Sequence, residues 1–197
     1  MIHDALVEFS YLDFGKLIVE NRRQRRDVKD RDMALYEEFV KNGTMCLEMM
    51  INQNIQTVLE ACEISPQLYE ESNVYWSEIN PQFQLISLLV IDKMKLMIPS
   101  SFEKEITADD VLKIMDFQID NYSKIKINQT GNPQITAMVK QSYLHDMVFE
   151  QFKMEEEDYS KAKGLEGNQV FAQKAQQLQY MVQMDVYGPQ MGMMGGF

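Results

Sequence analysis

The chain has few residues that could bind a metal or act as a nucleophile with its base. Only two of its 197 residues are cysteine, Cys46 and Cys62, and only two are histidine, His3 and His145. A structural zinc site needs about four such ligands at close spacing, and a nucleophilic triad needs a Ser or Cys beside an oriented His. These scattered positions offer neither arrangement. The sequence therefore predicts no catalytic residue, no metal ligand and no cofactor.

Glycine-rich motifs for nucleotide or acyl chemistry are missing as well. The sequence contains no G-x-x-x-x-G-K, no G-x-G-x-x-G and no G-x-S-x-G. Carboxylates do cluster, most densely from Glu155 to Asp158, but helical carboxylate–metal sites use Glu-x-x-His and Ser142 stands three residues before His145. We interpret the acidic run as a solvated face, and we predict a protein that is not an enzyme and has no small-molecule substrate.

Positive charge is scarce. The chain has thirty acidic residues and nineteen lysines and arginines, which gives a formal net charge of −11 and a pI near 4.7. Such a chain repels phosphate backbones and anionic lipid headgroups at long range. Nucleic acid and membrane surfaces are therefore poor candidate partners, and other protein subunits are the expected ones.

Long apolar runs are also absent. The most apolar stretch, Phe83 to Ile98, is interrupted by polar and charged residues, whereas a membrane-spanning helix needs about 20 mostly apolar ones. We predict a buried core helix there and no membrane span. The first residues, MIHDALVEFS, lack the basic and apolar regions of a secretory signal and contain acids. They predict a reducing, intracellular compartment, either the cytoplasm or the cytoskeleton or cilium.

The two cysteines lie sixteen positions apart. On one helix this spacing separates them by about 24 Å, far beyond the reach of a disulfide. We predict that both are reduced, buried thiols.

Helical periodicity, by contrast, is present along most of the chain. Val7, Tyr11, Phe14 and Ile18 follow one another at steps of 4, 3 and 4, which is typical of one helix face. No stretch shows sustained strand alternation. We predict an all-α fold: an irregular bundle of about six or seven helices with an N-terminal helical arm and an extended, low-complexity C-terminal tail.

Local signals predict where several helices begin and end. Ser65-Pro66 and Thr107 to Asp110 indicate helix starts, the second as a capping box. A helix from Met33 to about Cys62 is expected to divide at Asn42-Gly43. Another is expected from Ile135 to about Lys163.

These patterns suggest three regions. Residues 1–32 form an N-terminal helix and arginine-rich connector, residues 33–184 form the helical bundle, and residues 185–197 form a Met/Gly-rich tail. The division is a prediction from composition and periodicity alone.

The connector carries the only concentrated positive charge, at Arg22, Arg23, Arg25 and Arg26. Four arginines within five positions exceed what solubility requires, and guanidinium forks favour carboxylates, so these residues are candidates to bind an acidic protein. The alternative is a solvated helix with internal pairs at i, i+4. Both interpretations stay open at this point.

Methionine is unusually frequent, with 16 residues, and it reaches into the glycine-rich tail. Its flexible, polarizable side chain suits adaptable packing against partner surfaces. Met191, Met193, Met194 and Phe197 are therefore predicted to dock on a partner, since the tail has too little apolar surface for a core of its own.

The sequence thus predicts a non-enzymatic helical scaffold or interaction subunit of a large intracellular assembly, cytoskeletal or ciliary by analogy with assemblies that hold small helical proteins. The alternative is a regulatory binding module that captures an amphipathic partner helix in a Met-lined groove.

Overall fold

The protein is all-α. A computed structural model describes residues 2–80, 86–100, 102, 105–128 and 131–188, and these residues form eight helices and no strand. This confirms the predicted fold class. The helices are α1 (Ile2–Val28), α2 (Met33–Ala61), α3 (Pro66–Ile79), α4 (Ile86–Met97), α5 (Ala108–Tyr122), α6 (Pro133–Phe152), α7 (Glu156–Tyr159) and α8 (Gln169–Tyr187).

Side-chain caps open the helices where the sequence predicts them. The Ser65 hydroxyl accepts a hydrogen bond from the Leu68 amide at 3.2 Å, with Pro66 at the first helical position of α3. Thr107 and Asp110 form the predicted reciprocal capping box of α5. Each device satisfies amides that have no acceptor within the helix. Both predicted helix starts are confirmed.

The chain divides into two compact units. Unit 1 comprises residues 1–21 and 42–99, and unit 2 comprises residues 22–41 and 100–197. Helices α1 and α2 each contribute residues to both units, and α8 continues to Tyr187. The division of the chain at residues 32 and 185 stays a prediction.

Unit 1 has one apolar core, built from α1, α2 and α4. The stripe that the periodicity of α1 predicts is largely buried: Val7, Phe14 and Ile18 are at most 9% exposed. They belong to one cluster with Val58 of α2 and Met94 of α4. Burial of such side chains stabilises a fold by about 1.5 to 3 kcal/mol each, so this cluster holds the unit together.

Unit 2 has three smaller apolar clusters, all containing residues of α6. Val148 packs with residues of α5, Val139 with the first part of α2, and Leu144 with the end of α5. Helix α8 lies against two of these clusters, although none of its residues is fully buried. Helix α6 is therefore the central element of the unit.

The predicted break at Asn42-Gly43 is wrong, because α2 continues through it. The reason lies in packing. A Cβ atom at Gly43 would clash with the end of the Asn21 side chain of α1, which would have to move to make room for it. Here glycine marks a close approach between two helices and does not end one.

The predicted helix from Ile135 to Lys163 is also interrupted. Helix α6 ends at Phe152, and Lys153 adopts a left-handed conformation with φ 58°. The chain then turns, Met154 is buried, and the short α7 follows. This turn places Glu157 and Asp158 in the interior, each 3% exposed, so the interpretation of the acidic run as a solvated face is wrong for these two residues.

Both cysteines are exposed and unpaired. The prediction that Cys46 and Cys62 are buried is therefore wrong. Neither of them belongs to the apolar cluster of unit 1.

Buried ion pairs and candidate interaction surfaces

The arginines predicted to bind an acidic partner meet carboxylates of unit 2 instead. Arg22 donates two hydrogen bonds to Glu157, at 2.6 and 2.9 Å. Arg25 donates two to Asp146, at 2.7 and 3.0 Å. Both pairs are bidentate, the geometry in which a guanidinium binds a carboxylate most specifically.

Arg26 joins two acidic residues. It donates a 2.7 Å hydrogen bond to Asp146 and a bidentate pair, both at 2.7 Å, to Glu155. Its guanidinium carbon lies 3.8 Å from the centroid of the Phe149 ring. This stacking is a second favourable contact that lysine would make less well.

Asp146 is the centre of the cluster. Its side chain is fully buried, and the Tyr36 hydroxyl donates a further 2.7 Å hydrogen bond to it. Burial would raise the pKa of the Asp146 carboxyl, but the hydrogen bonds and charges of Arg25 and Arg26 outweigh it and hold this pKa below its ordinary value. The carboxylate stays ionised, which suits an ion pair and not a general base.

Lys29 extends the same row. Its ammonium group lies 2.5 Å from Glu150 and 4.6 Å from the centroid of the Tyr143 ring. Burial alone would lower the pKa of Arg22, but the hydrogen bond to Glu157 and the nearby carboxylates outweigh it, so this pKa is raised. The pKa of Arg26 is raised in the same way, because its acidic neighbours outweigh the effect of burial. Every charge of the row is thus compensated within unit 2.

Spacing along α1 explains which basic residues turn inward. Arg22, Arg25, Arg26 and Lys29 stand at i, i+3, i+4 and i+7 and share one face, whereas Arg23 points away and is exposed. The sequence contains this signal, but not the identity of the carboxylates, which lie about 120 positions further along. The alternative interpretation would pair Arg26 with Asp30 at i, i+4, and Arg26 makes these distant contacts instead.

The cluster connects residues that are far apart in the sequence through ion pairs. Each of its four cations is paired with a carboxylate, and all of these carboxylates except Glu150, whose side chain is 47% exposed, are largely buried. That these arginines bind a protein partner stays a prediction. The tail residues Met191, Met193, Met194 and Phe197 lie outside the described residues.

Exposed apolar side chains are concentrated in unit 1. Fifteen large apolar side chains of the described residues are between 41% and 68% exposed, and twelve of them belong to this unit. Scattered single residues of this kind are normal, but a concentration of twelve in one unit makes that unit the candidate for a surface that a partner covers. They are Phe9, Leu12, Val19, Met45, Met49, Leu68, Val74, Tyr75, Trp76, Ile79, Leu96 and Met97.

Helix α3 has the densest group of these side chains and buries no residue at all. Leu68, Tyr75 and Ile79 stand at i, i+7 and i+11 and therefore share one face. Trp76 borders this face, and its ring meets the Tyr75 ring edge-on at a centroid distance of 5.7 Å. We call Leu68, Tyr75, Trp76 and Ile79 the α3 face.

Unit 1 is also strongly acidic. It carries eleven acidic residues against three lysines, a formal net charge of −8 out of −11 for the whole chain. No lysine, arginine or histidine occurs from Asn42 to Asp92. The sequence shows this gap in positive charge directly.

Two cavities lie in unit 2. One, of about 590 Å³, is lined mainly by glutamines of α8 with Tyr180. The other, of about 620 Å³, is lined by residues including Lys140 and Asp185, which form a 2.9 Å ion pair. Neither cavity is lined by methionine.

Further tests concern metals and membranes. Within residues 2–80, 86–100, 102, 105–128 and 131–188, no three His, Cys, Asp or Glu side chains are grouped as they would be to hold a metal ion. In the same part of the chain, no helix is both long and apolar enough to cross a bilayer.

Comparison of the chain with models of known protein families, with curated proteins and with solved structures finds no match.

Proposed function

We propose that this protein is a non-enzymatic helical interaction subunit of a larger protein assembly, and that unit 1 contains its docking surface. The observation that carries the proposal is the concentration of twelve exposed large apolar side chains in unit 1. Large apolar side chains that stay exposed in such a concentration are typical of sites that a protein partner covers. A cytoskeletal or ciliary setting remains an analogy with assemblies that hold small helical proteins.

Unit 2 supports the proposal by its different character. It contributes only three of the fifteen exposed apolar side chains, and its buried ion pairs join parts of the chain that are far apart in sequence. Paired, desolvated charges specify one arrangement of the helices that carry them. We infer that unit 2 is the stable body of the protein and that unit 1 is the interacting unit.

The regulatory module with a Met-lined groove is the other candidate. It needs a concave site lined by methionine, and the two described cavities are lined by glutamines, by Tyr180 and by a Lys–Asp pair with its neighbours. Met45, Met49 and Met97 are exposed on helices of unit 1, along with aromatic and aliphatic residues. These observations favour the interaction subunit.

Quantitative affinity purification tests the proposed function. The tagged full-length protein is purified from its native cells as wild type, as Phe9→Ser with Leu12→Ser, and as the control Val170→Ser with Tyr187→Ser on α8. We expect near-stoichiometric co-purifying proteins with the wild type and the control, and depletion of them by the unit 1 variant. All four positions are more than 45% exposed, so the fold should survive each change.

Equal recovery of the same proteins by all three forms would contradict the proposal. So would a wild-type preparation that contains no protein in near-stoichiometric amount.

A further inference from the structure

The α3 face is the most exposed apolar surface on a single helix of unit 1, since α3 buries none of its residues. We propose that this face docks a basic amphipathic helix of another protein. The inference rests on the proposed function and deepens it, because it states the chemistry of the partner that unit 1 receives.

The shape of the face favours a helical partner. Leu68, Tyr75 and Ile79 follow one another along three turns, and Trp76 extends the strip at one edge. A strip at i, i+7 and i+11 matches the apolar strip of a second helix, because ridges of one helix fit between those of the other. A strand would use a free sheet edge, and α3 offers no unpaired backbone along its length.

Charge determines which kind of helix fits. Glu71 and Glu78 stand three positions after Leu68 and Tyr75, so they line one side of the α3 face. With Glu70, α3 carries three carboxylates and no cation, and the sequence around it has no basic residue from Asn42 to Asp92. Lysines or arginines beside the partner's apolar strip would complement this rim and speed the encounter.

A second copy of the chain does not meet this requirement. Two α3 helices would bring like charges together at the rim, which costs binding energy. The only concentrated positive segment of the chain has Arg22, Arg25 and Arg26 already paired with Glu157, Asp146 and Glu155. The complementary charge must therefore come from a different protein.

An anionic membrane is disfavoured for the same reason. Helices that lie on membranes carry lysine and arginine on their polar face, and α3 has glutamates there.

Trp76 makes the test direct, because it is the only tryptophan in the chain and is 48% exposed. The full-length protein is titrated with a synthetic Leu/Lys peptide of about 18 residues whose leucines form one helical strip. Control peptides replace every lysine by glutamate or scramble the same composition. We expect a saturable blue shift of Trp76 emission with the Leu/Lys peptide alone, weakened when salt rises from about 0.05 to about 0.5 M.

Two variants of the full-length chain locate the site. Leu68→Ser with Ile79→Ser should lower the affinity for the Leu/Lys peptide by roughly tenfold or more, since two apolar contacts are lost. Glu71→Gln with Glu78→Gln should lower the peptide affinity less and should make that affinity depend less on the salt concentration. The control Val170→Ser with Tyr187→Ser should bind as the wild type does. No residue of α3 is buried, so an unchanged thermal melt is expected for both α3 variants.

Four results would overturn the inference. The first two are that the Glu peptide binds as tightly as the Leu/Lys peptide does, and that the Leu68/Ile79 variant binds the Leu/Lys peptide as the wild type does. The third is an emission shift that depends on protein concentration without any peptide, which indicates self-association. The fourth is an emission shift with phosphatidylserine vesicles but not with the Leu/Lys peptide. If one of them occurs while the unit 1 variant still loses its co-purifying proteins, the inference fails and the proposed function stands. Peptide binding by a protein that recovers no partner from cells would reject the proposed function alone.

Discussion

Asp146 connects more of unit 2 than any other side chain in the ion-pair cluster. It accepts hydrogen bonds from Arg25 and Arg26 of α1 and from Tyr36 of α2, and it is fully buried. Removing one member of such a group leaves buried charges without a counterion, which costs more than the intact pair contributes. The residue therefore holds three helices in one arrangement.

The change Asp146→Asn should lower the free energy of unfolding by about 3 to 5 kcal/mol, because Arg25 and Arg26 lose a buried counterion. Urea unfolding followed by far-UV circular dichroism measures it. Glu105→Gln is the matched control, since Glu105 pairs with Lys163 at 3.0 Å on the exposed surface. It should change stability by about 0.5 kcal/mol or less. Equal effects of both changes would contradict the assigned role of the cluster.

Acid should weaken the same contacts. The pKa of Asp146 is lowered from its ordinary value of 3.8 in the folded protein, mainly by Arg25 and Arg26 against the opposing effect of burial. The stabilisation is therefore complete above the ordinary value and is lost as the pH falls through the lowered one. We expect the stability difference between wild type and Asp146→Asn to be constant near neutral pH and to shrink below about pH 4. A difference that grows on acidification would contradict this sign.

At the residue scale, the sequence predicts which basic side chains share one helix face, but it does not predict which carboxylates they contact. The i, i+3, i+4, i+7 spacing separates Arg22, Arg25, Arg26 and Lys29 from Arg23 without any structure. It cannot reveal Asp146, because that contact depends on how α1 and α6 pack, 121 positions apart. The sequence makes the arginines candidates to bind an acidic protein, and Arg22, Arg25 and Arg26 contact carboxylates of their own chain.

At the scale of elements, helix starts were predictable and some helix ends were not. A cap such as Thr107 with Asp110 is made within four residues, so the sequence contains all of it. The end of α6 depends on Lys153 taking a left-handed conformation while Met154 is buried against α5 residues. No local signal marks that turn, since lysine rarely adopts this conformation without tertiary contacts.

Gly43 offers a test of helix contact in unit 1. Gly43→Ala brings a Cβ atom against the Asn21 side chain, which must move, and this opposes the gain in helix propensity of up to about 1 kcal/mol. In an Asn21→Ala background the obstacle is gone, and Gly43→Ala should then stabilise the protein. Thermal melts of the four forms measure the coupling. Additive effects of the two changes would show that no such contact exists.

At the scale of the whole molecule, the two units differ in their net charge and in the number of large apolar side chains that they expose. Unit 2 compensates its buried charges internally, whereas unit 1 leaves a net charge of −8 and twelve large apolar side chains exposed. The gap in positive charge from Asn42 to Asp92 was readable from the sequence. The exposure of α3 was not, because its periodic apolar residues are also those expected of a core helix.

Hydrogen–deuterium exchange tests the central claim that unit 1 is the docking surface. Deuterium uptake in peptides covering α3 is compared between the free protein and the co-purified native complex. Free α3 should exchange fast, since it has no buried residue, and uptake should fall on binding. Unchanged uptake throughout unit 1, with protection confined to unit 2, would contradict the account.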